Sequence, residues 1–265
     1  MIAFTDHYVG YENNGRPSSS ADVGPTEFPA KYVKNLLLAT STMQLGVPTG
    51  PMRAPGSNAH AFVFQSFLDE VAHAAGKDPL QAMIDLYAEE RVAPPPPPPP
   101  GKGPPGGGRG GGGGFPSGPP FTGKRAQGVL EMVRETSGWG KRQLPKGTGM
   151  GVAFYFSHMG YFAEVVQATV SPSDGSIKVD KVWIVGDVGS TIINPTGALN
   201  QCQGAALDGI SQALGAKITI DRGRVWSRPS RNTRCCACTR RRPFRLIGRL
   251  PTTPRPVWVS RHCRR

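Results

Sequence analysis

The clearest periodic signal in the chain is PGSNAHAFVFQSFLDEVAHAAGKDPLQAMIDLYAEE, from Pro55 onward. Val63, Phe64, Phe67, Leu68 and Val71 recur at three- and four-residue steps, the spacing of one helical face. Ser57 or Asn58 stands where a side-chain cap is expected, and Gly76 stands where a helix stops in the left-handed conformation that glycine adopts without a steric penalty. Asp78-Pro79 caps and opens a second helix, with Met83, Leu86 and Tyr87 facing inward. KRAQGVLEMVRET predicts a third helix, short and amphipathic, near 124–136.

The pattern changes between Gly149 and Asp187. GVAFYFSHMGYFAEVVQATV divides at His158-Met159-Gly160, and VSPSDGSIKVDKVWIV divides at Ser173-Asp174-Gly175, whose Asp-Gly pair signals a hairpin. These runs predict about three consecutive antiparallel strands. Asn194-Pro195 then caps a helix to about Leu214, and AKITIDRGRV predicts another hairpin. Helices and antiparallel strands in separate blocks give an α+β class rather than a doubly wound sheet.

Composition modifies this picture at two places. Residues 93–123, APPPPPPPGKGPPGGGRGGGGGFPSGPPFTG, contain almost no side chain able to pack, and predict a linker or long surface loop of stiff polyproline and flexible glycine coil. The second place is the end of the sequence. From Arg222 onward there are 14 arginines and no Asp or Glu, so the net charge of +13 belongs to that end alone. The rest holds 17 basic against 18 acidic residues and is near neutral. Cys235, Cys236, Cys238 and Cys263 lie in the tail, so the body has no disulfide framework. No run of 18 apolar residues predicts a membrane span, and MIAFTDHYVGYENNG lacks the basic and apolar regions of a signal peptide.

Candidate chemistry is sparse. GTGMG at 147–151 lacks the Lys-Ser/Thr ending of a phosphate loop and precedes a strand, so hairpin geometry accounts for its glycines. His60, His73 and His158 have no metal-ligand spacing and are read as surface or satisfied histidines. VPTGPMRAPGSNA differs in kind: a Gly/Pro-rich loop presents Arg53 directly before a helix N-terminus. Loop amides, helix dipole and guanidinium together suit an anionic group; pairing of Arg53 with a core carboxylate is the structural alternative. In the tail, the Cys and His spacing matches no usual zinc finger. Fourteen arginines would attract phosphate, but no folded reader module accompanies them.

Three long segments carry a resemblance: LGVPTGPMRAPGSNAHAFVFQSFLDEVAHAAGKDPLQAMIDL, RAQGVLEMVRETSGWGKRQLPKGTGMGVAFYFSHMGYFAEV and VWIVGDVGSTIINPTGALNQCQGAALDGISQAL. They closely resemble the molybdopterin-binding large subunit of molybdenum hydroxylases, in the isoquinoline 1-oxidoreductase beta-subunit-like branch of the xanthine dehydrogenase and aldehyde oxidase superfamily. The likeness covers about residues 1–225 and corresponds to the C-terminal third of those subunits. It implies that Met52 and Arg53 lie against the molybdenum cofactor, with Gly56 allowing close approach. It places Gln201 and Gly204 on a helix lining the cofactor pocket, with Asp187, Gly189 and Asn194 shaping the turn before it; capping and turning the backbone is the plainer role for Asp187 and Asn194. It further implies molybdenum-molybdopterin in its cytosine dinucleotide form, a small subunit carrying 2Fe-2S clusters, and hydroxylation of an N-heteroaromatic or aldehyde carbon with water as oxygen source. Family members are cytoplasmic or exported, and the sequence does not choose between them.

After DRGRV the family continues with a segment like NPPTGLGEPALPP, whose glutamate is the catalytic base, and this reading frame contains no such segment. A shifted frame restores it. Permitted codons turn RNTRCCACTRRRPF into EYPLLRMHQAPPV, and LPTTPRPVWVSRHCRR into TDNPPTGLGEPALPP. The tail therefore reads as an out-of-frame translation of GC-rich DNA whose arginines have no selected partner, in preference to a specific nucleic-acid arm. The expected organisation is residues 1–92 and 124–225 as two parts of one molybdopterin-binding domain, the 93–123 loop, and a disordered tail over 226–265. With no residue assignable as catalytic base, the chain alone is expected to be inactive and to leave apolar surface uncovered.

Overall fold

The alternation in GYFAEVVQATV and IKVDKVWIVGD becomes the two faces of one sheet. The computed structural model describes residues 3–13, 16–17, 32–46, 53–88, 121–215 and 218–225. The expectations for Met52, for residues 93–120 and for the 226–265 tail lie outside these described residues. The chain divides into two units, Met1–Lys124 with Phe156–Met159, and Arg125–Tyr155 with Gly160–Arg265.

In the second unit, strands β4 (Thr148–Ser157), β5 (Gly160–Val170) and β6 (Ile177–Asp187) form a sheet in that order. Strands β5 and β6 are antiparallel, with Tyr161 opposite Asp187 and Val165 opposite Trp183. One face carries Tyr161, Ala163, Val165, Trp183 and Val185, all fully buried. Helix α3 (Gly123–Ser137) buries Ala126, Val129, Leu130, Val133 and Ser137, an i, i+3, i+4, i+7 stripe that matches the expected amphipathic helix. The opposite face of the sheet carries Val182 and Ile184, which form a core with Ala206 of helix α4 (Pro195–Gly215). Phe162, Val166, Leu199, Cys202 and Ile210 pack around it. Gly186 leaves room for the ring of Phe162, whose Cε1 would lie 2.6 Å from an added Cβ.

Both turn signals act as expected. The Asp174-Gly175 hairpin closes with Ser171 N–H donating to the Ser176 carbonyl, and Gly175 sits at φ 66°. Asn194 caps α4: its Oδ1 accepts from Gly197 N–H at 2.8 Å, and Pro195 occupies the first helical position, where a missing N–H costs nothing. A small hairpin, β7 (Ile220–Asp221) with β8 (Arg224–Val225), follows.

The first unit contains a ladder that the sequence reading did not anticipate. Strand β1 (Ala3–Asn13) pairs in parallel with β3 (Asn35–Gln44), and short β2 (Arg16–Pro17) adds antiparallel to β1, giving the order β2-β1-β3. Helix α1 (Ser57–Ala74) meets the β1 face that carries Phe4 and Tyr8. Phe4 lies edge-on to Phe64 and Phe67, and Tyr8 edge-on to His60. On the opposite face Val9, Tyr11, Leu37 and Met43 are exposed.

The buried stripe of α1 is Ser57, His60, Phe64, Leu68 and Ala72, whereas Val63 and Phe67 are exposed. The expected face was therefore correct at Phe64 and Leu68 and rotated elsewhere, because the most apolar arc of this helix is not its buried arc. Its start also differs. Gly56 is the N-cap and no side chain caps the helix, so neither Ser57 nor Asn58 fills that role. The stop is as expected. Gly76 at φ 63° donates to His73 O while Lys77 N–H reaches Ala72 O, the paired bonds of a Schellman motif. Asp78 caps α2 (Pro79–Ala88) through Gln81 N–H at 2.8 Å, and Leu80, Met83, Ile84 and Tyr87 are buried. Tyr87, Tyr32, Phe121 and Phe156 form a chain of edge-packed rings.

Candidate functional site

The expected cofactor residues fall in two places, and each is described by itself. Arg53 and Gly56 belong to the first unit. Ala54 at φ 51° and Gly56 at φ 77° bend the chain sharply into α1. The Ala54 carbonyl accepts from Asn58 N–H and the Gly56 carbonyl from His60 N–H, each at 3.0 Å, so residues 54–60 form one hydrogen-bonded entry to the helix. Arg53, Ala54 and Pro55 are exposed, and Arg53 directly precedes this helix entry in the chain, a position at which a cation and first-turn amides suit an anion. Glycine is required at 56 because that backbone conformation strains any residue with a Cβ.

Gln201 and Gly204 belong to the second unit. Three residues apart on α4, they share one side of the helix, with Gln201 exposed and Gly204 half-buried. Between them Cys202 turns toward the sheet, and burial, reinforced by the nearby Glu164 carboxylate, raises its thiol pKa. Glu164 keeps some exposed surface, but its surroundings are protein, and burial pushes its carboxyl up to about 7. It lies beneath α4 on the β5 face shared with Phe162 and Val166.

The turn before α4 is held by a group that sequence reasoning missed. Arg125 of α3 donates from Nε and Nη2 to the two oxygens of Asp187, both at 2.7 Å, a bidentate geometry. Its guanidinium carbon also lies 4.3 Å from the Tyr161 ring centroid. Asp187 accepts from Gly189 N–H as well, and these contacts, the Arg125 hydrogen bond first, hold its carboxyl below the usual range. Asp187 and Asn194 thus have the backbone-shaping roles, as does Gly189 at φ 104°. The signal for Arg125 was a lone arginine at the start of a helix whose acceptor lies 62 residues away, a pairing that no local pattern encodes.

The histidines divide. His73 and His158 are exposed, as read. His60 is neither at the surface nor satisfied: it is 2% exposed, and neither ring nitrogen has a hydrogen-bond partner. Among the described residues no cluster of His, Cys, Asp or Glu could hold a metal ion, and no helix is long and apolar enough to cross a membrane. Gly147 of GTGMG has the hairpin role expected of it, its carbonyl accepting from Val170 N–H at 2.8 Å.

Taken unit by unit, the residues are of the kinds that suit a phosphorylated pterin. In the first unit Arg53 precedes the helix-start amides, a cationic donor set for an anion, and in the second the exposed Gln201 offers a neutral carboxamide donor. Comparison with known proteins agrees. Residues 126–234 match the molybdopterin cofactor-binding domain. The chain is 32% identical over 204 residues to a membrane-bound aldehyde dehydrogenase [pyrroloquinoline-quinone] of Gluconacetobacter polyoxogenes, covering 74% of this chain and 23% of that protein. It is 29% identical over 104 residues to isoquinoline 1-oxidoreductase subunit beta of Brevundimonas diminuta, covering 38% of this chain and 13% of that one. The chain thus spans under a quarter of the length of either relative.

Proposed function

From the premise that this chain belongs to the molybdopterin-binding oxidoreductase family, we propose that it forms part of the large subunit of a molybdenum hydroxylase. The enzyme would hydroxylate an N-heteroaromatic or aldehyde carbon with water and pass electrons to a 2Fe-2S partner subunit. The observation that carries this reading is the domain match over residues 126–234, which includes helix α4 with its exposed Gln201 and half-buried Gly204. Arg53, with Met52 and the Gly56 turn, would hold an anionic part of the cofactor in its cytosine dinucleotide form. Gln201 would donate to the cofactor from its carboxamide, and Gly204 would permit close approach. When bound, the cofactor supplies two-electron redox chemistry. The protein's part is to bind it, orient it and exclude water.

No residue here is assigned as catalytic base. Glu164 lies on strand β5 near the Cys202 thiol of α4, with surroundings that burial makes apolar, and nothing in its position singles it out for that role. The chain by itself is therefore proposed to be inactive in hydroxylation. The test is to purify it from cells able to make the cofactor and to measure molybdenum and released pterin, then dye-linked oxidation of heterocycles and aldehydes. Bound molybdenum and pterin without oxidation are expected. Retention of neither would overturn the reading, and quinone in their place would favour the cofactor carried in the first relative's name.

A further inference from the structure

Ser57 occupies a first-turn position in α1, directly after the N-cap Gly56, and is 5% exposed. It points sideways to Ser157, the last residue of β4, with the two Oγ atoms 2.8 Å apart. Ser157 Oγ is also 2.7 Å from Nδ1 of His158. Three polar groups are thus joined in series, from an exposed imidazole to the helix residue that directly follows Gly56. When Nδ1 accepts, Ser157 donates to it and receives from Ser57; when Nδ1 carries a proton, the order reverses.

The turn that holds His158 is unusual. His158 and Met159 have φ of 51° and 67°, the left-handed conformation at both central positions of a two-residue connection. Asn-Gly would occupy such a turn without strain, and non-glycine residues in this region persist where surrounding contacts demand them. One such contact here is the ring's bond to Ser157. At the other end of the series Arg53, Ala54 and Pro55 are exposed, and the entry's backbone bonds begin at the Ala54 and Gly56 carbonyls.

We propose that Ser157 and His158 are positioning residues: through Ser57 they clamp the 54–60 entry of α1 and so set the direction in which Arg53 is presented. The clamp stands on the geometry of the first unit alone, whereas its consequence for cofactor binding rests on the functional reading above.

The experiment uses the full chain and its Ser157→Ala, Ser157→Thr, His158→Gly and His158→Asn variants. Amide hydrogen exchange is followed at Asn58 and His60, whose acceptors are the Ala54 and Gly56 carbonyls, with Lys77 at the far end of α1 as internal reference. Loss of one hydrogen bond should speed exchange of Asn58 and His60 about five- to tenfold in Ser157→Ala and His158→Gly and leave Lys77 unchanged. Thr restores the hydroxyl, and Asn tolerates the left-handed backbone while offering an acceptor, so both should stay within about twofold of wild type. Molybdenum per folded chain should fall in Ser157→Ala and His158→Gly and recover in Thr and Asn. Unchanged exchange at Asn58 and His60, or an equal rise at Lys77, overturns the clamp. Faster exchange with full molybdenum retention overturns the positioning role. If wild type holds no molybdenum but the exchange pattern is as described, the clamp stands and the cofactor reading falls.

Discussion

The two units cover their sheets differently. In the second, strands β4, β5 and β6 follow one another through short turns, and β5 and β6 are buried on both sides. Trp183, Val165 and Val185 fill one face, while Val182 and Ile184 pack with Ala206 of α4 on the other. In the first, a parallel pair has α1 against one face and leaves Val9 59% and Leu37 58% exposed on the other. Parallel ladders are ordinarily buried on both faces. A meander of consecutive strands can close on its own sequence, whereas a parallel pair needs a crossover and a second covering layer. The first unit should therefore depend more heavily on its few internal anchors.

The largest expected effect tests that dependence at Gly123. Its N–H donates to Tyr32 Oη, and an added Cβ would lie 2.2 Å from the Tyr87 carbonyl and 2.7 Å from Tyr32 Oη. Neither obstacle can move without disturbing the ring cluster, since Tyr32 and Tyr87 are both buried and burial raises the Tyr87 pKa. Gly123→Ala should destabilise the first unit by about 3 kcal/mol, the upper range for overpacking. The measurement is urea unfolding followed by near-UV circular dichroism of the tyrosines. An unchanged midpoint would mean that the aromatic cluster does not anchor this unit.

In the second unit the corresponding anchor is Arg125 with Asp187. Asp187→Asn leaves the guanidinium without its anionic partner. It should cost about 2 kcal/mol, less than for a fully buried pair because the Arg125 side chain is 30% exposed. The depressed Asp187 carboxyl gives this loss a pH signature. Its stabilisation is complete above the ordinary value of 3.8 and disappears as pH falls through the lowered one. Wild type and Asp187→Asn should therefore converge in thermal melts at strongly acidic pH and diverge above it.

The same contrast explains what could be read without coordinates. Asp174-Gly175, Asn194-Pro195, Gly76 and Asp78-Pro79 act through bonds spanning a few residues, so each was visible locally and each holds in the structure. The β1–β3 ladder was not visible, because Phe4 and Leu36 pair although they stand 32 positions apart, and their strands carry polar and apolar residues in mixed order. Arg125–Asp187 and Ser57–Ser157 escaped for the same reason. The rotation of α1 has another cause: its apolar arc exceeds what one sheet face can bury, so Val63 and Phe67 stay exposed while His60 is enclosed. Of the cofactor residues, the Arg53 loop stood out for its glycines, proline and charge. Gln201 and Gly204 had no such signal and came only from the family resemblance.

Glu164 and Asp187 sharpen the comparison within the second unit, because their protonation slopes have opposite signs. The folded state holds Glu164's proton up to about pH 7, whereas the ordinary value is 4.5. Between these values the native chain binds more protons than the unfolded one, so this group's contribution to stability falls as pH rises, then levels off above 7. Glu164→Gln should raise the melting temperature at pH 8 by about 2–4 °C and leave it unchanged at pH 4.5. Equal melting at pH 8 would mean that the carboxylate reaches solvent beneath α4.

The smallest effect belongs to His60, the enclosed polar group of the first unit. Both ring nitrogens are buried without a hydrogen-bond partner, and the ring lies edge-on to Tyr8 at 4.9 Å. His60→Leu removes two unsatisfied polar atoms, which favours the variant. It also removes an aromatic contact that stabilises wild type by about 0.5–1.5 kcal/mol. The two terms nearly cancel, and a gain of about 1 kcal/mol or less is expected in urea unfolding at pH 8. A loss exceeding that figure would show that the imidazole has a polar partner in the folded chain. The first unit would then be more fully satisfied than its described residues indicate, and its contrast with the second would narrow to the uncovered face of β1 and β3.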